Sequence, residues 1–182
     1  MINATASARR PTELWLALGA IALVSAVYLP FALDGPPPAS GLFGHGLGVV
    51  GFLLMLFAQT GYTWRKNPRR EGWGPMRRWL QAHVFAGLVG PYLVLLHTAF
   101  EFRGLAGVLA LLVLVVVASG CVGRFAFTAA PKLAAAPAEA EPGGIRRVLS
   151  LWWLLHVPVA AAMFVLAIVH IVAALYYATL LR

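Results

Sequence analysis

Four histidines stand in two pairs with one spacing. His83 and His97 bracket the stretch HVFAGLVGPYLVLLH, and His156 and His170 bracket HVPVAAAMFVLAIVH. Everything between them is fit for lipid, where a polar, titratable side chain is expensive and is therefore paired, enclosed in a bundle or functional. At about 1.5 Å per residue, a fourteen-residue step spans ~21 Å of helix and makes just under four turns. Both rings of a pair then project from nearly the same face. Imidazole is above all a metal ligand and a proton carrier. Zinc or copper wants its donors close together, with further His, Cys or carboxylate nearby, and here each end of each stretch offers one imidazole. A proton-conducting chain can use such histidines but does not require the repeated interval.

The elements that must carry these rings are membrane spans. Of the 182 residues 61% are hydrophobic and 11% are charged, and the mean hydropathy is +0.83, far above a soluble domain. Five stretches approach the ~20 residues that cross a bilayer: Leu14–Leu33, Leu42–Tyr62, Trp79–Phe100, Leu105–Phe125 and Val148–Tyr177. The predicted fold is all-α, an integral membrane bundle of five transmembrane helices occupying 13–182 after a short N-terminus, 1–12. An Ala/Pro-rich segment, 128–147, reads as a flexible linker. The first span follows Arg9 and Arg10 as a secretory signal would, but its apolar run is long and no small-residue cleavage site follows it, so it reads as a retained helix.

Basic residues set the orientation. Arg65, Lys66, Arg69, Arg70, Arg77 and Arg78 share one loop, and Lys132, Arg146 and Arg147 another, on the side of Arg9 and Arg10. The opposite side carries Arg103 and Arg182. The N-terminus is expected in the cytoplasm and the C-terminus in the periplasm of a bacterial inner membrane. Positive-inside loops account for the net charge of +8 without any nucleic-acid partner; membrane lipids are the expected surroundings. The lone Cys121 can form no internal disulfide and reads as a small buried core residue. No dinucleotide fingerprint, phosphate loop or Ser–His–Asp arrangement is present.

In this topology spans three and five run parallel, so His83 falls level with His156 near the inner face and His97 with His170 near the outer. Two levels of opposed imidazoles suit two stacked haems, each held by two histidines. Glycines point the same way. Gly48 and Gly61 in span two, and Gly107 and Gly120 in span four, are each thirteen apart, which lets flanking helices approach a flat macrocycle at both levels. Glycine is, however, common in membrane spans whatever they hold.

With two His-x13-His spans and depth-matched glycines, the sequence resembles the di-haem four-helix core of cytochrome b from quinol–cytochrome c complexes, and the paired histidines of ferric-reductase membrane domains. The resemblance covers spans two to five. It implies two haem b groups, an inner one on His83 and His156 and an outer one on His97 and His170. The Pro-Glu-Trp-Tyr quinol motif of that family has no counterpart here, nor has the flavin and nicotinamide domain of a self-contained ferric reductase.

Haem propionates need cations, and Arg77, Arg78, Arg146 and Arg147 precede the ligand spans; Arg77 and Arg146 are the chosen candidates, although each also serves as a topology determinant. His45, in GLFGHGLG, and Glu101, four residues after His97, form a candidate quinone or proton site; exposed positions at the interface would look the same. Trp64, Trp79, Trp152 and Trp153 read as an aromatic belt. The expected function is a b-type cytochrome subunit moving electrons between the quinone pool and a redox partner. That partner is a periplasmic c-type cytochrome or iron–sulfur protein, with a cytoplasmic dehydrogenase as the alternative. The competing expectations are a membrane anchor or electron wire without its own quinone site, and a histidine-lined proton or metal transporter.

Overall fold

Runs of Leu, Val, Ala and Phe longer than a dozen residues satisfy their backbone hydrogen bonds internally only as helices when they lie in hydrocarbon. The computed structural model describes residues 11–134 and 143–180. Its helices are α1 (Thr12–Leu33), α2 (Leu42–Arg65), α3 (Met76–His97), α4 (Gly104–Ala134) and α5 (Gly143–Leu180), with a 3₁₀ turn at Pro68–Trp73 and no strand among the described residues. Five helices among those residues are long and apolar enough to cross a membrane, which fits an integral membrane protein. Leu16, Leu23, Leu29 and Leu33 of α1 are each more than half exposed, a surface suited to lipid rather than water.

Several helix boundaries differ from the sequence expectation. Helix α3 stops at His97 instead of continuing to Phe100: Ala99 and Phe100 take positive φ, 49° and 62°, a left-handed turn that side chains other than glycine adopt reluctantly. Helix α4 runs on to Ala134 and α5 begins at Gly143, so helix occupies both ends of the segment expected to be a linker. Alanine is the strongest helix former, and Ala129, Ala130 and Ala134 sit in that extension. The remainder of that segment lies outside the described residues. Cys121 also departs from expectation. It is exposed on α4, since a small apolar thiol suits a lipid-facing position as well as a core.

The chain divides into two compact units, one ending at Ala99 and one beginning at Phe100. In the first, α3 packs against both α1 and α2. Ala17, Val89 and Leu93 form a buried cluster flanked by Val24, Leu54 and Phe85. The Ser25 hydroxyl donates to the Ile21 carbonyl at 2.7 Å, so Ser25 Oγ accepts from the Tyr92 hydroxyl at 2.6 Å and ties α1 to α3. The loop from α2 to α3 is pinned by Arg65, whose Nε and Nη2 donate to the Gly74 carbonyl at 3.1 and 2.8 Å. Trp79 Nε1 donates to the Trp73 carbonyl at 3.0 Å. In the second unit α4 packs on α5, and the Trp152 indole fills the space that a Cβ on Gly123 would need.

Helices α2 and α3 meet most closely at a pair of glycines. A Cβ on Gly51 would lie 2.7 Å from the Gly90 carbonyl oxygen, and one on Gly90 would lie 2.9 Å from the Gly51 carbonyl oxygen. Neither contact is tolerable, and the atoms that would have to move are backbone. Gly90→Val should therefore destabilise the fold by ~1–3 kcal/mol, the usual cost of overpacking. Gly46→Ala is the control, because nothing lies within 4 Å of its Cβ position and Ala is the better helix former. Chemical denaturation of the detergent-solubilised chain, followed by circular dichroism, checks both outcomes.

Candidate cofactor-binding histidines

From Gly90 it is seven residues back to His83 and seven forward to His97. From Gly51 it is likewise seven residues to Gly44 and seven to Ala58. On antiparallel helices crossing at the glycine pair, each histidine then stands opposite a backbone carbonyl of α2. His83 Nδ1 lies 2.7 Å from the Ala58 oxygen, and His97 Nδ1 lies 2.8 Å from the Gly44 oxygen. A carbonyl cannot donate, so both bonds require the proton on Nδ1. In the neutral ring, Nε2 then carries the lone pair that binds a metal. A helix carbonyl keeps a second lone pair beyond its own ladder bond, so α2 accepts both bonds without breaking.

His97 is also shaped from below. A Cβ on Gly48 would come 2.9 Å from His97 Cγ and 3.1 Å from Nδ1. Gly48 thus gives the imidazole its place, as a contact with the ring itself. Gly61, the other expected glycine of α2, faces the rings of Phe57 and Trp79 at 3.2 and 3.4 Å. The ring centre of Tyr62 is 5.5 Å from that of His83, and the Lys66 ammonium lies 4.9 Å from the Tyr62 ring centre.

In the second unit a side chain does what the α2 carbonyls do in the first. His156 Nδ1 is 2.7 Å from Ser119 Oγ. The Ser119 hydroxyl donates to the Val116 carbonyl at 2.8 Å, so it accepts from His156, and the same tautomer results. The Trp152 ring stacks on His156 with centroids 5.2 Å apart and planes 24° from parallel. A Cβ on Gly120 would sit 3.5 Å from His156 Cε1, an ordinary contact. Gly107 instead lies against the Phe102 backbone, at 3.0 Å, where the chain enters α4. His170 is half-buried on α5.

The remaining candidates are more exposed. His45 Nδ1 is 3.1 Å from the Gly41 carbonyl, and its ring centre is 6.1 Å from that of His97. Glu101 is exposed in the loop before α4 and belongs to the second unit, whereas His45 belongs to the first. Arg77 and Arg78 are exposed at the start of α3; the Arg146 side chain lies outside the described residues. Among the described residues no three His, Cys, Asp or Glu side chains gather, the minimum a protein zinc site supplies.

Four contributors carried no plain sequence signal that could be read in advance. The Ala58 and Gly44 carbonyls are backbone, and only their fourteen-residue separation, equal to that of the histidines, hints at them. Ser119 looks like any small residue of a membrane helix, and Trp152 looked like an interfacial anchor. Comparison with protein-family models, with curated proteins and with solved structures returns no match to this chain.

The tautomers can be checked directly. Side-chain ¹⁵N spectra of the chain at alkaline pH should place the proton of His83, His97 and His156 on Nδ1. Gly48→Val should disturb the hydrogen-bonded Nδ1 signal of His97 and leave that of His83 unchanged.

Proposed function

We propose that the chain is a membrane b-type cytochrome subunit holding two haem b groups, His83 and His156 ligating one and His97 and His170 the other. In this reading it carries electrons across a bacterial inner membrane, between the quinone pool and a redox partner. The observation that carries the proposal is the repeated hydrogen bond from Nδ1 to a protein acceptor at His83, His97 and His156. Metal-binding histidines characteristically donate their other ring N–H in this way, which fixes the ring and raises its basicity. A histidine serving only to satisfy a core would have no need of the same tautomer three times.

Haem held by these histidines would supply one-electron ferric–ferrous chemistry. The residues of the chain do the rest. The α2 carbonyls and Ser119 hold the proton on Nδ1 and so leave Nε2 for the metal, and Gly48 admits the His97 ring. A histidine-lined proton path is less well supported, because a proton relay needs both ring nitrogens to exchange protons, and here Nδ1 is committed to a carbonyl at two positions.

The expected orientation puts His83 and the basic α2–α3 loop towards the cytoplasm. Lys66, Arg69, Arg77 and Arg78 are exposed there and suit an acidic partner or anionic lipid. A periplasmic c-type cytochrome or iron–sulfur protein would exchange electrons at the other end, with a cytoplasmic dehydrogenase as the alternative partner.

Single-histidine variants test the pairing. In redox titrations of the reduced b-type spectrum, His83→Ala and His156→Ala should remove one and the same component, and His97→Ala and His170→Ala the other. Loss of a common component from the His83 and His170 variants would overturn the assignment.

A further inference from the structure

Helix α2 meets α3 along the side that carries Gly51 and Ala58. At about 100° per residue, Thr60, Thr63 and Asn67 fall on the opposite side, with Gln59 at its edge. These four and Trp64 line a groove of about 440 Å³, within the range of roughly 300–1,000 Å³ that small-molecule sites occupy. The Thr60 hydroxyl donates to the Leu56 carbonyl at 2.7 Å, and the Thr63 hydroxyl donates to the Gln59 carbonyl at 2.9 Å. Both hydroxyl oxygens are therefore left to accept. Asn67 Oδ1 accepts from the Arg69 backbone N–H at 3.0 Å. Among the described residues the Asn67 amide nitrogen and the Gln59 side chain make no hydrogen bond, so these two amides are the donors of the groove. Lys66 and Arg69, on either side of Asn67 in the chain, are exposed. Deeper in the membrane the same side turns apolar. Leu56, Leu53 and Val49 follow one another at helical spacing and are 37%, 55% and 57% exposed, an open stripe rather than a packed one.

We infer that this face of α2 binds one anionic phospholipid with a hydroxyl-bearing head group. The order of groups along the helix matches the order within such a lipid. Lys66 and Arg69 supply charge for the phosphate, and the Asn67 amide donates to it. The Gln59 amide, deeper by two helical turns, donates to a glycerol ester carbonyl. The acyl chains then lie along Leu56, Leu53 and Val49. The threonine oxygens only accept, so a head group with hydroxyls is matched, whereas choline brings no donor. A transmembrane helix of another chain could cover the apolar stripe equally well but need bring no anion to Lys66 and Arg69. The inference is independent of what the histidines hold, since it uses only the membrane-spanning character of α2 and residues on the side turned from α3.

The test is native mass spectrometry of the delipidated full chain in detergent, titrated separately with dioleoyl phosphatidylglycerol and dioleoyl phosphatidylcholine. The wild type should bind one phosphatidylglycerol at least about tenfold more tightly than phosphatidylcholine, the scale of one or two cations beside an anionic head group. Asn67→Asp keeps the acceptor for the Arg69 N–H but exchanges the donor for a negative charge. It should weaken phosphatidylglycerol binding by about tenfold or more, the scale of a lost hydrogen bond to a charged group. Gln59→Leu, which removes the deeper donor and leaves an apolar side chain suited to the membrane, should weaken it by about threefold or more. Circular dichroism of both variants should match the wild type, and glycerol phosphate in millimolar excess should not displace the lipid. Equal affinity for the two lipids overturns the inference, as does wild-type binding by both variants. Displacement by glycerol phosphate would reduce the site to a phosphate contact and overturn it as well. A second polypeptide that occupies this face in place of lipid, and is lost in Gln59→Leu, would assign the face to a helix and overturn the lipid assignment.

Discussion

The approach of Gly51 to Gly90 governs the first unit. With each Cα hydrogen where a side chain would otherwise stand, α2 and α3 come close enough for imidazoles on one helix to reach carbonyls on the other. The contact also fixes the register: two turns in either direction along α3 lead to a histidine, and two turns along α2 lead to its acceptor. A shift of one residue along either helix would rotate the donors and acceptors by about 100° and separate them. The glycine pair, the two hydrogen bonds and the Gly48 seat under His97 thus depend on one another. In a membrane, where lipid tails are as apolar as the side chains, close packing of small residues and such polar bonds are what hold helices together.

The second unit reaches the same tautomer at His156 by different means. Ser119 spends its own hydrogen on the Val116 carbonyl and so presents an acceptor, and Trp152 covers one face of the ring after seating itself on Gly123. A backbone acceptor survives almost any substitution, whereas a serine acceptor does not. The acceptor at His156 is therefore the one of the three that a single side-chain change removes outright. Glu13 follows the same logic elsewhere. It is a buried carboxylate held by a neighbouring helix through Gln81.

Much of this architecture was legible because hydropathy and helix length leave a membrane chain few options. The five helices and the common face of His83 and His97 follow from run length and from fourteen-residue spacing. What could not be read were the facts of tertiary approach. Gly48, Gly51, Gly61 and Gly90 are indistinguishable as letters, yet one seats an imidazole, two form the crossing and one lies beside Trp79. Glu13 resembles an ordinary acid at a helix start, where it favours the helix dipole, and only the packing of α1 on α3 buries it. The end of α3 at His97 rather than Phe100 rests on two positive φ angles that neither Ala99 nor Phe100 advertises.

The most direct test of the central claim is the ratio of haem to polypeptide in the purified chain, from pyridine haemochrome absorbance against quantitative amino-acid analysis. Two non-covalent haem b groups per chain is the expected value. A folded, monodisperse preparation carrying one haem, or none, when produced with haem in excess would contradict the account.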